Sequence, residues 1–154
     1  HTISYVVFDQ DSKQSAVIDS VLDFDYASGA ISYDLAEQIL AYIQKLDLDV
    51  VWHIETHVHA DHLSAAPYLQ DKVGGQLMIS REITEVQKIF GKVFNAGTEF
   101  ERDGSQFDRL LDDNDSYQLG CFSGRAIHTP GHTPACMAHI IGDAVFCGGY
   151  IIYA

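Results

Sequence analysis

The chain has 154 residues, 47% of them hydrophobic, and a formal charge of −13 from 22 acidic against nine basic side chains. That length and apolar fraction suit one domain with its own core, expected over residues 1–154. Nucleic-acid binding needs clustered Lys and Arg, which are lacking, so neither a duplex reader nor a single-strand groove is expected. No run of about 18 apolar residues occurs, so no membrane span is expected, and no charged-then-apolar leader is visible. Cys121, Cys136 and Cys147 are odd in number and never spaced C-x-x-C. This points to reduced thiols, a cytoplasmic location and small apolar core roles.

The β-branched and aromatic run Ile3–Phe8, a turn at Asp9–Ser12 and a return over Ser15–Asp19 predict a hairpin. Ser32 is placed to cap a helix over Tyr33–Leu46, with Leu35, Ile39, Ile43 and Leu46 at helical spacing on the buried face. Val50–Thr56 predicts a strand, Leu63–Leu69 a short helix begun by Asp61 or His62, Gln76–Ser80 a strand and Glu82–Phe90 a helix. Gly97–Asp115 is polar and turn-rich. Short strands are expected at Tyr117–Leu119, Gly124–His128, Cys136–Ile141 and Ala144–Cys147, with Gly142-Asp143 as a tight turn. The pattern is that of an α/β layered domain without repeats or linkers.

The chemistry concentrates in Thr56-His57-Val58-His59-Ala60-Asp61-His62, at the expected carboxyl end of a strand, where α/β sheets form ligand sites. Three imidazoles and a carboxylate within six positions suit zinc or iron. On extended backbone His57, His59 and Asp61 share a side. Much later comes Thr129-Pro130-Gly131-His132-Thr133, in which Pro130 restrains the backbone and Gly131 permits close approach. His128 reads as a strand or supporting residue, and His53 and His139, each in an apolar run, as satisfied core or edge residues. Glu55 is a candidate to orient an imidazole, with a solvated strand face as the equal alternative. Arg81 and Lys92 read as ordinary surface charge before they read as contacts for an anionic substrate.

These two motifs, with Val21-Leu22-Asp23-Phe24-Asp25, Leu63-Ser64-Ala65-Ala66 and Asp103-Gly104-Ser105-Gln106-Phe107, resemble the metallo-β-lactamase superfamily. Within it the text is most similar to the glyoxalase-II-like and persulfide (sulfur) dioxygenase branch. The resemblance implies an αββα layered fold, of which this chain would supply mainly the N-terminal half. It implies a metal-dependent hydrolase or sulfur dioxygenase relative acting on glutathione thioesters or persulfides. His57, His59 and His132 would hold a first metal, while Asp61, taken also as the catalytic residue, and His62 would face a second. In the mononuclear dioxygenases His57 and His132 would bind iron with one later aspartate. One zinc or iron ion is expected rather than two.

The chain departs from the family at Cys147-Gly148-Gly149-Tyr150, where Gly149 takes the place of a metal-binding aspartate. The alternative expectation is therefore a truncated, catalytically impaired metal-binding remnant. A half-fold would also leave an apolar sheet face uncovered, so a homodimer through Ala144–Tyr153 is expected.

Overall fold

A computed structural model describes residues 3–58, 63–97, 99 and 101–148. The contacts gather into two compact units. The first comprises residues 1–55, 59–77 and 118–122, and the second 56–58, 78–117 and 123–154.

In the first unit, β1 (Tyr5–Phe8) and β2 (Gln14–Ile18) form the expected antiparallel hairpin, with Tyr5 opposite Ile18 and Phe8 opposite Ser15. Its turn is closed by Asp9, whose carboxylate accepts from Ser12 Oγ at 2.7 Å and from the Cys121 amide at 3.1 Å. These hydrogen bonds, led by Ser12, hold the Asp9 carboxyl down at about 2. Cys121 is accordingly exposed in a turn, contrary to the core role expected of it. The Asp9 carboxylate needs a backbone N–H at this turn, whatever the side chain beyond it.

A second hairpin, β3 (Asp23–Asp25) with β4 (Ala30–Ser32), stands where no element is expected. Three-residue strands are too short to show periodicity, and Asp25 makes the turn by accepting the Ala27 amide at 2.8 Å. Because Ser32 belongs to β4, it does not cap the following helix α1 (Asp34–Leu46). Asp23 does so from the hairpin, its Oδ2 accepting the Leu35 amide at 2.9 Å. The buried line of α1 is Ala36, Leu40 and Ile43, and Leu35 is 42% exposed. The apolar face is thus centred one position away from the expected stripe. It packs with Val17, Val50 and Leu69 in the first unit's core.

Strand β5 (Asp49–Ile54) lies parallel to β2, with Ile18 opposite Ile54. It stops two residues before the expected end. Helix α2 runs Ala66–Val73 rather than Leu63–Leu69. The preceding residues are tied to the chain after β2 instead: Leu22 N donates to Leu63 O, and Ala65 N to Ser20 O. Those bonds hold Leu63–Ala65 out of a helix until Pro67, which suits a helix's first turn. His53, buried in β5, donates from Nε2 to Gly74 O at 2.8 Å, a core residue as expected.

Strand β6 (Gln76–Ser80) leaves the first unit for the second, where α3 (Ile83–Val93) leads to β7 (Arg109–Leu111), parallel to β6. β7 lies in the stretch expected to be only turns. That stretch is organised by buried Gln87, whose side chain accepts the Gly104 amide at 3.0 Å and donates to Gln106 at 2.8 Å. Arg81 forms a two-pronged pair with Asp112 at 2.8 and 3.0 Å, which makes it a structural surface cation. The four last strands appear as expected: β8 (Ser116–Leu119), β9 (Phe122–His128), β10 (Met137–Ile141) and β11 (Ala144–Cys147), ordered β11-β10-β9-β8. Ile141 faces Ala144 across the Gly142-Asp143 turn, where Gly142 has φ +62°. Of the segment Ala144–Tyr153, only Ala144–Gly148 is described. Among the described residues no helix is long and apolar enough to cross a membrane.

Candidate metal centre

His57 lies three residues beyond β5, in the short Thr56–Val58 segment of the second unit. Thr56 N–Cα–C backbone is fixed there by Met137 N, which donates to Thr56 O at 2.8 Å, so the segment is pinned to the start of β10. Thr56 Oγ1 is hydrogen-bonded to His57 Nδ1 at 2.8 Å, and both side chains are buried. Gly148, just after β11, is packed against the same pair. A Cβ there would sit 1.9 Å from Thr56 Oγ1 and 2.3 Å from His57 Nδ1, so only glycine allows this approach.

His132 arrives from the β9–β10 loop and stands exposed. Its ring lies edge-to-face with that of His57, centres 5.2 Å apart and planes at 71°. Sequence neighbours hold its loop. Thr129 N donates to Cys136 O at 2.9 Å, and Gly131 N to Thr133 O at 3.2 Å. His128 Nε2 donates to Pro134 O at 2.7 Å, the supporting role expected of it rather than that of a ligand.

Two of the expected ligands, His57 and His132, are thus brought together. His59, Asp61, His62 and Gly149 lie outside the described residues. Among the described residues no group of three His, Cys, Asp or Glu side chains gathers. Glu55, in the first unit, is buried and accepts from Ser64 Oγ at 2.5 Å. Burial, then the negative charge of Asp19, push its carboxyl up to about 8, so it is held neutral at pH 7. Its partner among the described residues is a serine, and its burial rules out the solvated strand face, while the imidazoles of His59 and His62 lie outside the described residues. Thr56 and Gly148, which no sequence signal marks as site residues, both lie against His57. Both were visible as neighbours of motif residues, but close approach in space has no signal in spacing.

The chain belongs to the metallo-β-lactamase superfamily, whose family profile matches residues 2–147. It is 57% identical over 143 residues to a "Probable metallo-hydrolase" of Burkholderia pseudomallei strain 1710b, covering 93% of this chain and 49% of that protein. It is 40% identical to glyoxylase B2 of Dictyostelium discoideum, covering 93% and 50%. To the mitochondrial persulfide dioxygenase ETHE1 of Homo sapiens it is 27% identical, covering 92% and 44%. Its fold matches the crystal structure of ETHE1 from Myxococcus xanthus with a TM-score of 0.67, at 23% identity over 94% of this chain and 50% of that one. The chain spans about half the length of these relatives.

Proposed function

We propose that this chain carries the metal-binding part of a hydrolase or sulfur dioxygenase acting on glutathione thioesters or persulfides. The observation that carries this reading is the pairing of His57 with His132. Two imidazoles on one tetrahedral zinc, each nitrogen about 2.0–2.1 Å from the ion, put their ring centres about 5 Å apart. The observed separation is 5.2 Å. The donor set therefore fits zinc or iron, and the motif adds His59, Asp61 and His62 as candidate ligands, with Asp61 also the candidate catalytic residue. Thr56, engaging His57 at Nδ1, sets the ring so that coordination goes through Nε2. His132, being exposed, leaves the site open to a small thiol-derived substrate. When bound, such an ion supplies a water of lowered pKa or an open coordination position. The glyoxylase and persulfide dioxygenase relatives support the substrate class.

Elemental analysis of protein never exposed to a chelator is expected to find about one equivalent of zinc or iron. His57→Ala or His132→Ala should abolish that binding, whereas His139→Ala should not. Equal loss from all three would sink the assignment. Turnover is to be measured with glutathione persulfide and S-lactoylglutathione. Turnover of neither substrate at any metal loading would favour the second reading, a metal-binding chain with impaired catalysis.

Gly149 is the observation behind that second reading, since glycine offers no side chain to a metal. Gly149→Asp is expected to raise metal affinity or fill a second position, as read by chelator competition. A folded variant with unchanged stoichiometry and affinity would show that residue 149 does not take the place of the family's aspartate.

A further inference from the structure

We propose that Cys136 and Thr133 form a clasp that positions His132, so that a thiol read from sequence as core filling is a positioning residue of the metal centre. The proposal rests on the assignment of His132 as a ligand. Cys136 is 1% exposed, at the entrance to β10. Its sulfur accepts the Thr133 amide at 3.2 Å and is hydrogen-bonded to Thr133 Oγ1 at 3.1 Å. The Cys136 amide donates in turn to Thr133 O at 3.4 Å. Thr133 is therefore held by its amide, its carbonyl and its hydroxyl, all toward one residue.

Position in the chain is what gives this clasp a function. Thr133 directly follows His132, and its carbonyl also accepts the amide of Gly131, which directly precedes His132. Both backbone neighbours of the imidazole are thus fixed through Thr133, and Thr133 is fixed by Cys136. The loop's far side is braced separately by His128 on Pro134 O. The backbone that presents the His132 ring beside His57 is thus set by these bonds on both sides of the residue. Sulfur is a weak acceptor, but even a part-buried amide that loses its acceptor is costly. Loss of the sulfur should free the Thr133 peptide to turn, carrying His132 with it.

The test compares Cys136→Val, which fills the volume without an acceptor, with Cys136→Ser, which restores one, and with Cys121→Ser as an exposed control. Zinc affinity by chelator competition should fall about tenfold or more in Cys136→Val and stay within about threefold in Cys136→Ser and the control. The cobalt-substituted Val variant should show a changed visible spectrum. In metal-free protein, the imidazole nitrogen resonances of His132 should shift or broaden in Cys136→Val and be retained in Cys136→Ser. Wild-type affinity together with unchanged His132 resonances in a folded Cys136→Val protein would overturn the clasp. If the wild type binds no metal, the metal-centre reading fails, and the metal-free His132 resonances alone decide the clasp. If Cys136→Val does not fold, Cys136→Ala carries the test, because it removes the sulfur acceptor without adding a branched side chain. Unmoved His132 resonances in a folded Cys136→Ala protein would likewise overturn the proposal.

Discussion

Replacing Gly148 by alanine is expected to damage the candidate metal centre more than alanine at any other described glycine. The new Cβ would meet Thr56 Oγ1 at 1.9 Å and His57 Nδ1 at 2.3 Å. Neither neighbour is a flexible tip that can swing into solvent, since both side chains are buried and hydrogen-bonded to each other. Either the end of β11 moves out or the His57 ring rotates. Overpacking of this kind typically costs about 1–3 kcal/mol. On the proposed assignment the loss of metal affinity should be at least about tenfold, because the displaced atoms are those of His57, the proposed ligand, and of Thr56, which is hydrogen-bonded to it. Gly97→Ala is the control: nothing lies within 4 Å of its Cβ, so little change is expected. Chemical denaturation and chelator competition on both variants measure the two effects. A Gly148→Ala protein with wild-type stability and affinity would mean that β11 does not end against His57.

The elements that periodicity announced are those whose burial is one-sided and regular. Strands β8 to β11 and the presence of α1 were legible because alternation or helical spacing marks one apolar face, although the face α1 buries is turned one position from the expected stripe. The errors fall where another segment decides. Ser32 looks like a cap, but Asp23, eleven residues before α1 begins, supplies the acceptor. Leu63–Ala65 looks helical, but Ser20 and Leu22 take its backbone. β7 is three residues long and exists because β6 offers a parallel edge. The candidate site divides in the same way. His57 and His132 were legible because imidazoles in such motifs have few structural reasons to be there. Thr56, Gly148 and the Thr133–Cys136 pair were not, because their roles are distances. A threonine, a glycine and a small buried thiol are unremarkable in sequence until they are placed within 2–4 Å of a ring or an amide.

Acid should destabilise the chain through His139. Its imidazole is fully buried in β10, with Nδ1 and Tyr117 OH hydrogen-bonded at 3.0 Å across to β8. Burial holds its pKa down at about 4, from the ordinary 6.5. The same burial pushes the Tyr117 hydroxyl upward, so it stays neutral and offers no charge to offset a protonated ring. The sign follows from where protons bind. Between pH 6.5 and 4 the unfolded chain takes up a proton on this histidine that the folded chain refuses. The histidine's contribution to stability is thus whole above pH 6.5 and falls away as the pH drops toward 4. The full shift corresponds to about 3 kcal/mol, a large part of a typical domain's net stability of about 5–15 kcal/mol. Carboxylates held low, such as Asp9 at about 2, lose their contribution only at lower pH. Glu55, held up at about 8, takes its proton in the folded chain across this same window and opposes His139, so the effect is read from the difference between wild type and a His139 variant. His139→Asn keeps a polar atom near the position of Nδ1 and cannot titrate. It should be less stable than the wild type at pH 7.5, because it leaves a cavity, and the difference should shrink as the pH is lowered to 4.5. Denaturant midpoints of both proteins across that range make the comparison, with the cavity cost cancelling between pH values. A wild-type-minus-variant difference that stays constant from pH 7.5 to 4.5 would show that His139 takes up its proton equally in the folded and unfolded chains, and that the buried Tyr117–His139 pair is open to water.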